Sequence, residues 1–176
     1  MISSSPTLKT RMLQYADRVL SGKIVTGILQ RQAVERHLRD LETGSDRGLF
    51  FDYQAAQHFL DMSQFTVHTK GEWAGQQFIP EPWQEFSLAC LFGWKREDGL
   101  RRFRTGYESL ARKNGKSFMS ALIGIYCTVA DGEPGAEVYS AATKRDQAKI
   151  VWDEARAIIQ KSPDLRKLTG KIFKNN

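Results

Sequence analysis

Residues 117–130, SFMSALIGIYCTVA, are apolar on nearly every side. A helix of that composition has to be surrounded by other elements, because one dry face would leave the rest of its apolar surface in water. It is well short of the ~20 apolar residues that span a bilayer, so it reads as an inner helix of a folded domain. The flanking sequence narrows the fold. "RFRTGYESLA" sets Phe103, Thr105, Tyr107 and Ser109 on one side, the alternation of a strand. "RKNGK" then forms a loop into the helix, and "DGEPG" ends it. "AEVYSAA" reads as a second strand. The following helix carries Ala148, Val151, Ala155 and Ile158 as one stripe and stops at Ser162-Pro163. Thr143 stands where it can cap that helix, with Asp146 three residues on approximating a capping box. Strand, loop, helix, strand, helix over 102–161 predicts an α/β fold, the opening of a parallel sheet flanked by helices.

The loop carries the chemistry. Gly115-Lys116-Ser117 is the tail of a phosphate-binding loop. Such a loop needs inward-pointing backbone N–H groups, a helix that starts there, and a lysine that reaches the outer phosphates. Gly115 permits backbone conformations closed to other residues. Lys116 is the candidate phosphate lysine, and Ser117 can offer its hydroxyl to Mg²⁺. Leu110 stands where the first glycine of such a loop belongs, while Arg112, Lys113 and Asn114 fill its altered front half. Arg112 could stabilise charge on a γ-phosphate, stay solvated or contact nucleic acid. A plain glycine turn with surface lysines is the competing reading of the whole loop.

The rest of the chain excludes more than it assigns. Lys and Arg number 26 against 20 Asp and Glu, a net charge of +6 that favours polyanionic partners. Cys90 and Cys127 are far apart and form no CxxC, so they read as reduced, buried residues of an intracellular protein. His37, His58 and His68 have no metal-ligand spacing and read as surface or packing residues. The first residues lack the apolar segment of a signal peptide, and no run is long enough to cross a membrane. Helical patterns cover 8–20, about 26–41 and about 52–65, and Pro82 is placed to open another helix with Trp83, Phe86, Leu88, Leu91 and Phe92 on its apolar side. "GWKREDGLRR" reads as a polar turn. The expected layout is an N-terminal helical lead-in at 1–75 and the first part of a P-loop ATPase domain at 76–176.

With these residues in hand, the chain resembles the large terminase subunit of tailed bacteriophages. The resemblance rests on "EPWQEF" at 81–86, "ARKNGKS" at 111–117 and "EVYSAATKRDQAKIVWDEA" at 137–155, with "YADRVLSGKIVTG" and "HTKGEWAGQQF" agreeing. The altered Walker A loop, basic before GKS, is a feature of that family. The resemblance implies a P-loop NTPase fold and an ATP- and Mg²⁺-dependent motor that packages viral DNA, with endonuclease activity in the full-length protein. It implies that Gln84 reads the adenine edge, for which an amide offers both donor and acceptor. It also implies that Arg112 matches the arginine that some members of the family use in place of a separate arginine finger, with Lys113, Asn114, Gly115, Lys116 and Ser117 around the phosphates. Implied partners are double-stranded viral DNA, the small terminase subunit, the portal protein and further copies in a ring on the procapsid, in the host cytoplasm and without a membrane.

ATP hydrolysis also needs an acidic strand end that holds Mg²⁺ and orients water. No apolar run ending in Asp-Glu follows Lys116; "TVADGE" at 128–133 ends the loop's own helix. The chain is therefore expected to be the amino-terminal part of a longer protein, with little turnover of its own. Two other readings compete: another P-loop enzyme such as a helicase, and a non-catalytic nucleic-acid-binding assembly module built on the basic runs "KRE" and "RRFR" at 95–104.

Overall fold

A computed structural model describes residues 5–169. The chain divides into two compact units that interleave in sequence, one of Met1–Leu60 with Pro80–Tyr107, the other of Asp61–Ile79 with Glu108–Asn176.

The first unit begins with α1 (Leu8–Leu20), capped by Thr7, whose hydroxyl accepts the Thr10 N–H at 3.2 Å. Its Met12, Tyr15, Ala16 and Val19 are buried, the stripe their spacing predicts. It packs on α2 (Ile28–Thr43) and α4 (Pro82–Gly93), and Arg11 pairs with Glu85 of α4 at 2.9 Å. Pro82 does open α4. Between α2 and α4 lie a 3₁₀ turn (Ser45–Arg47), β1 (Leu49–Phe51) and α3 (Tyr53–Ser63), whose last residues belong to the second unit. Asp52 starts α3 by accepting the N–H groups of Gln54 and Ala55, each at 2.9 Å.

Two buried polar residues of α2 organise this core. The Trp94 indole donates to His37 Nδ1 at 3.1 Å, so the imidazole proton sits on Nε2. The rings of Phe51, Phe86 and Trp94 meet His37 edge-on at 5.1–5.7 Å, and Cys90 Sγ lies 3.6 Å from Nδ1. Desolvation holds the imidazole down to about 4, so it is neutral at pH 7. One turn on, burial alone would raise the Asp40 carboxyl, but hydrogen bonds from Arg47 and Arg102 outweigh it and hold it below its ordinary value. Arg102 also lies over the Trp94 and Phe103 rings, at 5.2 and 4.9 Å.

The sheet differs from expectation. Among the described residues the regular strands are β1 and β2 (Trp94–Arg96), an antiparallel pair with Leu49 opposite Arg96 and Phe51 opposite Trp94. "GWKREDGLRR" is thus a strand and tight turn, and β1 carries no alternation long enough to announce itself. Neither 103–109 nor 136–142 is a strand. Alternation only marks a segment able to pair, and a strand exists once a neighbour satisfies its N–H and C=O groups. Without one, Tyr107, Val138 and Tyr139 remain exposed. The described fold is helices with a small sheet, and the expected parallel sheet is not among the described residues.

The second unit holds α5 (Lys116–Val129), α6 (Arg145–Lys161) and α7 (Pro163–Thr169). Phe118, Met119, Ala121, Leu122, Ile125 and Tyr126 bury one side of α5, and α6 packs against this helix. The opposite side is covered less fully than its composition suggests, with Ile123 and Cys127 half-buried. The α6 stripe faces inward as predicted, ending at fully buried Ile158. Lys144, not Thr143, is its N-cap, and the Thr143 hydroxyl is 3.3 Å from Gln147 Oε1 instead. A hairpin-like turn at 66–78 completes the unit: His68 N–H donates to Gln76 O and Phe78 N–H to Thr66 O, both at 2.9 Å. Among the described residues no helix is long and apolar enough to cross a membrane.

Candidate phosphate-binding loop

Residues 110–117 connect the segment after Tyr107 to α5. Arg112 and Lys113 form a turn, and Lys113 is the one described non-glycine residue with positive φ, at 69°. Gly115 follows at φ 76°, ψ 10°, the left-handed region, and is the N-cap of α5. A side chain there would cost about 1 kcal/mol, which explains the glycine on backbone grounds alone. Its carbonyl accepts the Met119 N–H at 2.9 Å, the first bond of the helix. The N–H groups of Lys116, Ser117 and Phe118 therefore have no partner within the helix, and among the described residues no side chain caps them. Three unsatisfied donors and the positive end of a 14-residue helix make a site suited to an anion.

The side chains add to that field. Arg112, Lys113, Asn114 and Lys116 are exposed, and Ser117 is half-buried in the first turn of α5. The Lys116 ammonium folds back to donate to the Leu110 carbonyl, bridging the loop across its own mouth. Asn114 Nδ2 donates to the Ala111 carbonyl at 3.3 Å and braces the same turn. Glu108 lies close enough to feel Lys116: crowding by protein pushes its carboxyl up, and the ammonium draws it back down. Amide N–H groups, an ammonium, a guanidinium and a hydroxyl form a donor set that fits phosphate oxygens. Leu110, in place of the usual first glycine, contributes the carbonyl that holds Lys116.

The other predicted site residue, Gln84, belongs to the first unit. It is buried at the third position of α4, where its Oε1 accepts the Glu81 N–H at 2.9 Å, the reciprocal half of a capping box. Trp83 beside it is half-buried. The basic run at 95–104 is largely committed within the first unit. Arg96 pairs with Asp98, Arg101 lies over Phe92 at 5.6 Å, and Arg102 binds Asp40. These contacts weigh against reading the run as a nucleic-acid surface.

Sequence reasoning missed the buried carboxylate of Glu154. It accepts from the Thr69 hydroxyl and pairs with Lys70 at 2.8 Å, while Lys161 donates to the Thr69 carbonyl at 2.6 Å. A signal was present, for Glu154 falls on the inward stripe between Val151 and Ile158, where a charge needs a partner. Among the described residues no cluster of three His, Cys, Asp or Glu side chains could hold a metal ion.

The family described as terminase large subunit, ATPase domain, matches residues 82–175, more than half of the chain, and this stretch includes Gln84 and the whole loop. No curated protein and no solved structure matches. A glycine-capped, lysine-bearing loop at the head of an apolar helix, inside a match of that extent, leads to one conclusion: the chain belongs to the terminase large subunit family, through its ATPase domain.

Proposed function

We propose that this chain is the nucleotide-binding part of a DNA-packaging motor, and that the loop at 110–117 grips the phosphate tail of ATP. The observation that carries the reading is Gly115 in the left-handed region at the head of α5, which leaves the Lys116, Ser117 and Phe118 amides open to an anion. Lys116 would exchange the Leu110 carbonyl for the outer phosphates. Arg112, one turn upstream, would steady charge that develops as the γ-phosphoryl group leaves. Lys113, Asn114 and Gly115 line the approach, and Ser117 would hold Mg²⁺, whose role when bound is to neutralise phosphate charge. Gln84 would read the adenine edge with the amide group left after its oxygen caps α4.

At the level of organisation, we propose a helical lead-in at 1–75 and an ATPase part from residue 76, built on the parallel sheet of P-loop enzymes. The full-length protein would couple hydrolysis to DNA movement and cut DNA as an endonuclease. It would work in the host cytoplasm as a ring on the procapsid, with viral double-stranded DNA, the small subunit and the portal as partners. The sequence has no apolar run ending in Asp-Glu after Lys116, so binding without sustained turnover is expected of this chain alone.

Titration with a fluorescent, non-hydrolysable ATP analogue tests the site. Lys116→Ala is expected to weaken binding by about 10- to 100-fold, the size of a lost charge-assisted contact. Equal affinity of the variant and the parent chain would remove the loop from consideration. A phosphate-release assay showing robust, Lys116-dependent hydrolysis would refute the expected lack of turnover.

A further inference from the structure

The turn at 66–78 touches the helix that begins at the phosphate loop. Phe118 follows Ser117 directly and occupies the first turn of α5. The His68 imidazole stacks on its ring with centroids 5.4 Å apart and planes 28° apart, and Phe78 leans on the same ring at 4.7 Å. His68 and Phe78 also meet each other edge-on at 5.5 Å, so the three rings form a closed cluster. The backbone bonds from His68 to Gln76 and from Phe78 to Thr66 hold two of these rings side by side on one hairpin. That hairpin is anchored in turn, because Thr69 and Lys70 reach buried Glu154 of α6 and Lys161 reaches the Thr69 carbonyl. A continuous set of contacts therefore runs from α6 through the hairpin to the residue after Ser117.

We propose that His68 and Phe78 are positioning residues of the phosphate site. They clamp Phe118 and so fix the first turn of α5, whose amides and Ser117 hydroxyl face the anion. The inference rests on the proposed nucleotide reading for its consequence in binding, though not for the clamp itself. An amide cradle binds only if its donors already converge, and a turn free to fray spends binding energy on ordering. Burial lowers the His68 pKa, so the ring that stacks is the neutral one at pH 7.

Three variants of the full chain test this: His68→Ala, which removes the stacked ring; His68→Phe, which restores a ring at this half-buried position; and Phe78→Leu, which keeps apolar bulk without a ring. Each is measured for ATP-analogue affinity at low temperature and for hydrogen exchange of the amides at 119–122, which bond back to the carbonyls of the first turn of α5. His68→Ala and Phe78→Leu are expected to weaken binding by about three- to tenfold, the size of one aromatic contact, and to speed exchange at 119–122. His68→Phe is expected to stay within about twofold of the parent, which a loss of general stability would not explain. Parental exchange rates in His68→Ala would overturn the clamp, as would a His68→Phe variant as weak as His68→Ala. If the parent chain binds no analogue, the nucleotide reading fails while exchange at 119–122 still decides the clamp.

Discussion

Single residues carry most of the specificity in this chain. Gly93 is required by contact: a Cβ there would lie 2.6 Å from Phe51 Cζ and 3.0 Å from Ala56 Cβ. Gly93→Ala is therefore expected to cost about 1–3 kcal/mol, the range for overpacking a filled core, read as a lower urea midpoint at unchanged slope. Asp40 is a costly residue for the first unit to lose. Its carboxylate is fully buried between Arg47 and Arg102, and Asp40→Asn would leave Arg102, itself mostly buried, without its counter-charge. A loss of about 3 kcal/mol is expected by denaturant unfolding, as for a buried pair broken on one side. At the loop, Gly115 and Lys113 both hold positive φ, and only the glycine does so without steric cost. A strained lysine beside the cradle is consistent with a loop kept for binding and not for stability.

At the scale of elements, the helices are the parts written most plainly into the chain. The start of α4 follows from Pro82, the stripe of α1 from its three- and four-residue spacing, and the end of α6 from Ser162-Pro163. Each signal acts within a turn or two, so a single sequence can be read for it. The loop was legible for the same reason, since Gly115, Lys116 and Ser117 are contiguous. The two-stranded ribbon was not, because Leu49–Phe51 meets Trp94–Arg96 across more than forty residues and each strand is only three residues long. The hairpin at 66–78 was likewise hidden, since its anchor on α6 is 85 residues away in the chain. Glu154→Gln tests that anchor. Weakening its charge-assisted bonds is expected to cost about 1–3 kcal/mol and to raise hydrogen exchange at His68 and Phe78 above that of α1.

For the molecule as a whole, acid is the condition that separates buried from exposed histidine. His37 is held down to about 4 when folded, against 6.5 when free. The unfolded chain therefore takes up a proton first as pH falls, and stability drops between about 6.5 and 4. That shift corresponds to about 3 kcal/mol, fully present above pH 6.5 and gone below 4. Asp40 acts lower: its folded pKa lies below the ordinary 3.8, so its contribution fades as pH falls past that value. Denaturant unfolding followed by far-UV circular dichroism at a series of pH values from 7 to 4 is expected to show the first loss. In His37→Gln, which keeps an acceptor near the indole, the slope over that window is expected to flatten even if overall stability is lower.

The sequence by itself determined the main helices, the contiguous Gly-Lys-Ser loop and the family, because caps, periodicity and a contiguous motif are set by neighbours along the chain. Only tertiary structure decided that β1 pairs with β2, that 103–109 and 136–142 form no strand, that Arg102 of the basic run reaches inward to Asp40, and that Glu154 and His37 are buried. Those outcomes depend on which distant groups meet. Hydrogen-bond partners and counter-charges for buried atoms come from wherever the fold brings them, and that information lies in no short stretch of the chain.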